Sequence, residues 1–155
     1  MKTAKTMAAL WLLAIGHLAH ADATVPRWAV QAEGRQVRHA DGWQATWPGV
    51  NWQVRVAAQA VGVTLDDAVN YYALEVDGKA VQKIGPAAGE RTLWQDLPDR
   101  RPHIVRLFKL TQSPDNPGWF KGFSLRQGQV LEQPPKPRRQ IEFIGDSWTV
   151  AYGNL

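Results

Sequence analysis

Apolar and polar side chains alternate with a period of two along most of the chain after residue 21. In Asn51-Trp52-Gln53-Val54-Arg55-Val56, Trp52, Val54 and Val56 fall on one face and polar groups on the other. This is the pattern of a half-buried strand. Tyr72, Leu74 and Val76 repeat it, Asp77-Gly78 fits a tight hairpin turn that needs positive φ, and 79–84 reads as the returning strand. Further strands are predicted at 91–94, 103–111 and 119–125, and Arg126-Gln127-Gly128-Gln129 reads as another turn, leading to Val130-Leu131. Helical periodicity is scarce, and the one helical turn the pattern admits falls within 61–68. Many short strands at near-regular spacing predict an all-β fold, a jelly-roll-like antiparallel β-sandwich over 22–132.

Two segments break this pattern. At the N-terminus, Lys2 and Lys5 precede an apolar run from Met7 to Leu18 and then Ala19-His20-Ala21. A basic start, a short apolar middle and a small-x-small end predict a secretory signal peptide over 1–21, cleaved after Ala21. The run is short for a membrane span, which takes about 20 apolar residues. A soluble exported protein, periplasmic or extracellular and with no membrane association after cleavage, is expected. At the other end, Gln133-Pro134-Pro135-Lys136-Pro137-Arg138-Arg139 predicts a stiff extended linker over 133–139, since proline lacks the ladder donor and fixes φ. Beyond it Ile141-Glu142-Phe143-Ile144 is almost continuously apolar, as in a strand of a parallel sheet covered on both faces. Such a strand cannot bury itself alone, so 140–155 reads as the beginning of a second, incomplete α/β domain.

Composition narrows the partners. With 45% apolar and 21% charged residues there is material for a core. The formal charge is +4, and losing Lys2 and Lys5 with the leader leaves +2, too little to argue for nucleic acid. No cysteine is present, which excludes disulfides and a lipid-bearing N-terminal thiol. Histidine spacing matches no metal motif, so no metal or other cofactor is expected. Asp66-Asp67 with Asn70 does not fit an EF-hand loop and reads as a solvated loop, and 113–118 as a rigid turn cluster between two strands.

Chemistry concentrates in Gly145-Asp146-Ser147-Trp148. A serine at the C-terminal end of a hydrophobic strand projects over the sheet edge, where α/β active sites gather. A helix starting there offers free N–H groups and the positive end of its dipole. Such a serine attacks an acyl carbon when a histidine takes its proton, while its own N–H helps hold the oxyanion. Of four histidines, His17 and His20 leave with the signal peptide, and His39 and His103 read as structural or solvent-facing residues of the sandwich.

The run from Ile141 to Asn154 resembles the first block of SGNH (GDSL-type) hydrolases. Together with Trp47-Pro48-Gly49, the Val76-Asp77-Gly78-Lys79 hairpin, His103-Ile104-Val105-Arg106-Leu107, Gly122-Phe123 and the proline-rich joint, the chain resembles carbohydrate esterase family 2. The resemblance implies an N-terminal β-sandwich joined to a hydrolase domain that removes acetyl groups from plant polysaccharides of the xylan or glucomannan type. It implies Ser147 as nucleophile and backbone oxyanion donor, with Asp146 and Gly145 in supporting places and the histidine base supplied by a later block. Trp148 stands where an aliphatic residue is usual and Ala151 where glycine is common; Trp148 is a candidate substrate contact. The expected partner is an acetylated polysaccharide or oligosaccharide, and this chain alone is expected to be inactive.

Eight tryptophans, seven of them beyond the leader, open an alternative. Their faces stack on sugar rings, so a non-catalytic carbohydrate-binding module is the second reading. The bland use of each is packing; Trp52, for one, shares a face with Val54 and Val56. A third reading, a domain that only packs against a hydrolase, predicts an exposed apolar patch and poor solubility for the chain alone.

Overall fold

In the computed structural model, which describes residues 22–132, 138, 139, 141, 144 and 145, short strands follow one another with a single helical interruption. In chain order they are β1 (Ala23–Thr24), a 3-10 turn (Arg27–Ala29), β2 (Gln31–Glu33), β3 (Val37–His39), β4 (Gly42–Ala45) and β5 (Asn51–Asp67). After these come β6 (Tyr72–Val76), β7 (Lys79–Ile84), β8 (Ala87–Asp96), β9 (His103–Lys109) and β10 (Gly118–Val130). Every pairing is antiparallel.

The long strand β5 belongs to both layers of the sandwich. Its first part, 51–56, pairs with β9, which carries β6 and then β7, while β2 flanks 51–53. Its second part, 60–67, pairs with β8. β10 runs along the other side of β5 from Asp66 to Val56 and carries β4, then β3, and separately β1. The core lies between the layers. Trp52, Phe120 and Phe123 fill it with ring centroids 4.8 and 4.9 Å apart in sequence of contact, and Trp43 stacks on Phe120 at 5.4 Å. Each such ring contributes about 1.5–3 kcal/mol through removal from water.

Crossing between layers costs β5 its phase. Trp52, Val54, Val56 and Ala58 face the core; beyond Gln59 the core-facing set becomes Val61, Val63 and Leu65. Directly opposite, β10 kinks at Gln127, whose φ of 47° is left-handed. Gly128 follows because a Cβ there would lie 2.2 Å from that of Ala58. Both strands therefore bend at one rung, with Gln59 and Gln127 on the surface.

Two predicted features are corrected here. Residues 61–67 are strand, not a helical turn, because Val61, Val63 and Leu65 bury on alternate positions between β8 and β10. The Arg126 to Gln129 turn is a kink inside β10, since its backbone keeps its partners on β5 across the bend. The Asp77-Gly78 hairpin stands as expected, with φ of 51° and 75° matching a type I′ turn.

Candidate functional site

Asp146, Ser147 and Trp148 lie outside the described residues, as do the expected signal peptide and most of the linker. What the structure shows is the place from which the chain leaves for them. β10 ends with Val130 paired to Val56, and the Leu131 N–H donates to the Arg55 carbonyl at 2.9 Å. Of the strand expected before Ser147, Ile141, Ile144 and Gly145 are described and all are exposed, the two isoleucines at 79% and 89%.

His103 pairs with Val56 on the other side of β5, on the rung where the chain exits. Its ring is clamped: Nδ1 lies 2.7 Å from Asp77 Oδ2 and Nε2 lies 3.2 Å from Asp99 Oδ1. Carboxylates only accept, so the imidazolium, with a proton on each nitrogen, is the form that satisfies both contacts. Burial presses this ring toward neutrality, but the hydrogen bonds and charges of Asp77 and Asp99 outweigh it and hold its pKa above the ordinary 6.5. The His103 ring lowers the Asp77 pKa in return, and Arg101 with its backbone N–H holds Asp99 well below the carboxylate range. Asp77 Oδ1 also accepts the Ile104 N–H at 2.9 Å, pinning the β6–β7 turn to the start of β9. A ring with both nitrogens engaged this way has no lone pair with which to take a proton.

His39 is engaged too. Its Nε2 donates to Gln44 Oε1 at 3.0 Å and its ring packs on Trp119 with centroids 4.8 Å apart. Trp52 is fully buried, as the face it shares with Val54 and Val56 predicts; Trp43 is nearly so, and Trp94 and Trp119 are half-buried on the outer face of one layer. Trp28 and Trp47 are exposed, at 66% and 45%.

At the opposite end of the sandwich three loops meet on a buried amine that sequence reasoning did not single out. Lys109, at 0% exposure, donates from Nζ to Asn70 Oδ1 at 2.7 Å, to Thr46 O and Ser113 Oγ at 3.3 Å each, and to the Thr111 carbonyl. Burial lowers its pKa to about 8, and the charge of the Asp67 carboxylate offsets only part of that effect. Beneath it Asp67 accepts from the Val69 and Asn70 N–H groups, from Asn70 Nδ2 and, at 2.5 Å, from the Tyr72 hydroxyl. Burial and this carboxylate drive the Tyr72 pKa far above its ordinary value. Gly118 passes so close that a Cβ would sit 1.9 Å from Asp67 Oδ2. The expectation of a solvated loop at Asp66, Asp67 and Asn70 is thus corrected: Asp67 and Asn70 are buried, because the Asp67 carboxylate closes the loop on its own backbone. The signal lay in the strand pattern, since Lys109 shares the inward parity of Val105 and Leu107.

Among the described residues no group of three or more His, Asp or Glu side chains is placed to hold a metal ion. Nor, among them, is any helix long and apolar enough to cross a membrane.

Comparison with known proteins gives this architecture a context. The family model described as "Carbohydrate esterase 2 N-terminal" matches residues 32–135. An acetylxylan esterase / glucomannan deacetylase of Cellvibrio japonicus is 38% identical over 110 residues, covering 70% of this chain and 30% of that protein. The cellulase/esterase CelE of Acetivibrio thermocellus is 32% identical over 117 residues, covering 74% of this chain and 14% of that one. The solved structure of a family two carbohydrate esterase from Clostridium thermocellum, in complex with cellohexaose, superposes with a TM-score of 0.71 at 29% identity. That match covers 81% of this chain and 39% of that one. The chain thus spans a third or less of the two curated relatives, and what it shares with them is the sandwich just described, by which it belongs to the family of carbohydrate esterase 2 N-terminal domains.

Proposed function

We propose that this chain is the exported N-terminal part of a serine esterase that removes acetyl groups from plant polysaccharides of the xylan or glucomannan type. The observation that carries the reading is the exposure of Ile141 and Ile144 immediately before Gly145-Asp146-Ser147. Two nearly bare isoleucines on a strand-patterned stretch belong to a sheet that other residues complete. The deacetylase relative, of which this chain covers 30%, has room for such a sheet. On this reading 22–132 is the accessory sandwich, 133–139 the joint, and 140–155 the opening of an SGNH-type hydrolase domain.

Ser147 then attacks the acetyl carbonyl, its own N–H helps hold the tetrahedral oxyanion, and water releases acetate from the acyl-enzyme. Gly145 lets the backbone turn tightly beneath the serine, Asp146 supports that turn, and Trp148 lines the acyl or sugar side. The base comes from elsewhere in the whole protein. His103 is held as an imidazolium between Asp77 and Asp99, and His39 is bound to Gln44 and packed on Trp119. Export rests on the Lys2 to Ala21 pattern.

The test is hydrolysis of 4-nitrophenyl acetate. Residues 22–155 alone show no turnover above the blank, whereas the same residues joined to the hydrolase blocks of the full-length protein turn over and lose activity with Ser147→Ala. Turnover by the short chain that disappears with Ser147→Ala would overturn the claim that the base lies elsewhere.

A further inference from the structure

The outer face of the layer formed by β8, the second part of β5 and β10 carries a depression of about 290 Å³. Its wall is made by Thr24, Asp41, Thr64, Glu90, Lys121 and Ser124. Its origin is a β-bulge: the register between β10 and β5 shifts between Phe120 and Gly122, and Gly122 (φ 137°) leaves open space above the sheet. Outside this lining, the strand register sets a half-buried tryptophan on the same outer face at either diagonal of Thr64. Trp94 lies over Gly62, with the Arg126 guanidinium 4.3 Å from its ring centroid. Trp119 carries the Lys121 ammonium at 4.2 Å, and that ammonium also pairs with Asp41 at 2.7 Å. Four rungs of β5 and two strand spacings separate the tryptophans, a Cα distance of about 16 Å.

We infer that this groove binds a neutral oligosaccharide, so that the sandwich itself grips the polysaccharide chain. Two carboxylates against one ammonium disfavour a phosphate or other anion, and the hydroxyl-rich wall disfavours an apolar ligand. Vicinal hydroxyls both donate and accept: they give protons to Asp41 and Glu90 and take them from Lys121, in charge-assisted bonds. Thr64, already bonded to Thr92 at 2.8 Å, and Ser124 serve either role. Arg126 covers the Trp94 face while paired with Asp22 at 3.5 Å, and this exposed cation–π contact is weak enough for a sugar ring to displace. The indole is then a platform for a pyranose ring. This inference does not depend on the Ser147 chemistry: the esterase assay and the binding assay fail separately.

The experiment is calorimetric titration of the 155-residue chain, carrying Ser147→Ala, with cellohexaose, xylohexaose and mannohexaose. At least one gives a saturable isotherm, and its affinity falls about tenfold or more with Trp94→Ala and with Glu90→Gln, while Trp47→Ala leaves it unchanged. Glu90 and Asp41 are exposed, so Glu90→Gln and Asp41→Asn test the groove without threatening the fold. The proposal is overturned if no saccharide saturates, if the groove variants bind like the parent, or if Trp47→Ala abolishes binding instead.

Discussion

The two ends of the sandwich are both tied by a buried cation, and they do it by opposite means. At one end Lys109 donates to neutral oxygens and staples three loops, with the Asp67 carboxylate near enough to favour its charge but not bonded to it. At the other end His103 sits between two carboxylates that create its charge, and the turn of the β6–β7 hairpin depends on it. A cation among dipoles costs desolvation and returns satisfied carbonyls, whereas a cation between anions is favoured only while all three groups stay ionised. The first arrangement makes a rigid end. The second makes an end that responds to pH, and it lies on the rung where the chain leaves the sandwich.

The largest effect expected from breaking this contrast is at the neutral end. Lys109→Met leaves the Thr111 carbonyl without its donor, removes one of two donors from Asn70 Oδ1 and from the Thr46 carbonyl, and lowers unfolding free energy by about 2 kcal/mol, read from urea titration. Unchanged stability would show the staple to be dispensable. Next in size, Asp77→Ala removes one carboxylate from His103 and an acceptor from the Ile104 N–H and lowers stability by about 1.5 kcal/mol at pH 6. That loss shrinks once the imidazole has titrated.

The pH profile separates the ends further. The raised His103 pKa means that the folded state holds a proton the unfolded chain has released, so its contribution is complete below 6.5 and fades as pH climbs through the raised value. The depressed Asp77 pKa adds stability above 3.8 that is lost as pH falls through the depressed value. Lys109 acts the other way: from about 8 toward 10.5 the folded state gives up a proton that the unfolded chain keeps, and stability recovers. Melting curves from pH 5 to 10 should therefore dip near pH 8, the dip vanishing with His103→Gln; a monotonic profile contradicts the assignment. The smallest effect is expected from Arg101→Ala, whose exposed pairing with Asp99 should leave the melting midpoint within experimental scatter.

The alternation of Trp52, Val54 and Val56, the inward set of β9 and the Asp77-Gly78 turn were legible because each is a short-range pattern. The kink shared by Gln59 and Gln127 was not: Arg-Gln-Gly-Gln has turn chemistry, and only tertiary pairing with β5 keeps it in a strand. Ala57, Ala58 and Ala60 likewise blur the phase change, since alanine is small enough to bury on either side. The Lys109 network joins residues 39 positions apart, so no local spacing announces it, although a lysine on an inward parity was its visible trace. The chemistry of Ser147 was legible as a motif whose meaning depends on the strand that leads into it. The groove between Trp94 and Trp119 was not, because it is made by a bulge that leaves no mark in the polar pattern.

The shared strand β5 has a consequence for the order in which the protein is made. Its main partner, β10, is synthesised 50 or more residues later, and β1 pairs with Leu125, near the far end of the same strand. β2, β8 and β9 can pair with β5 before then, but β1 and the β3–β4 pair have no place on the sheet until β10 has been made. Contacts this distant in sequence slow folding.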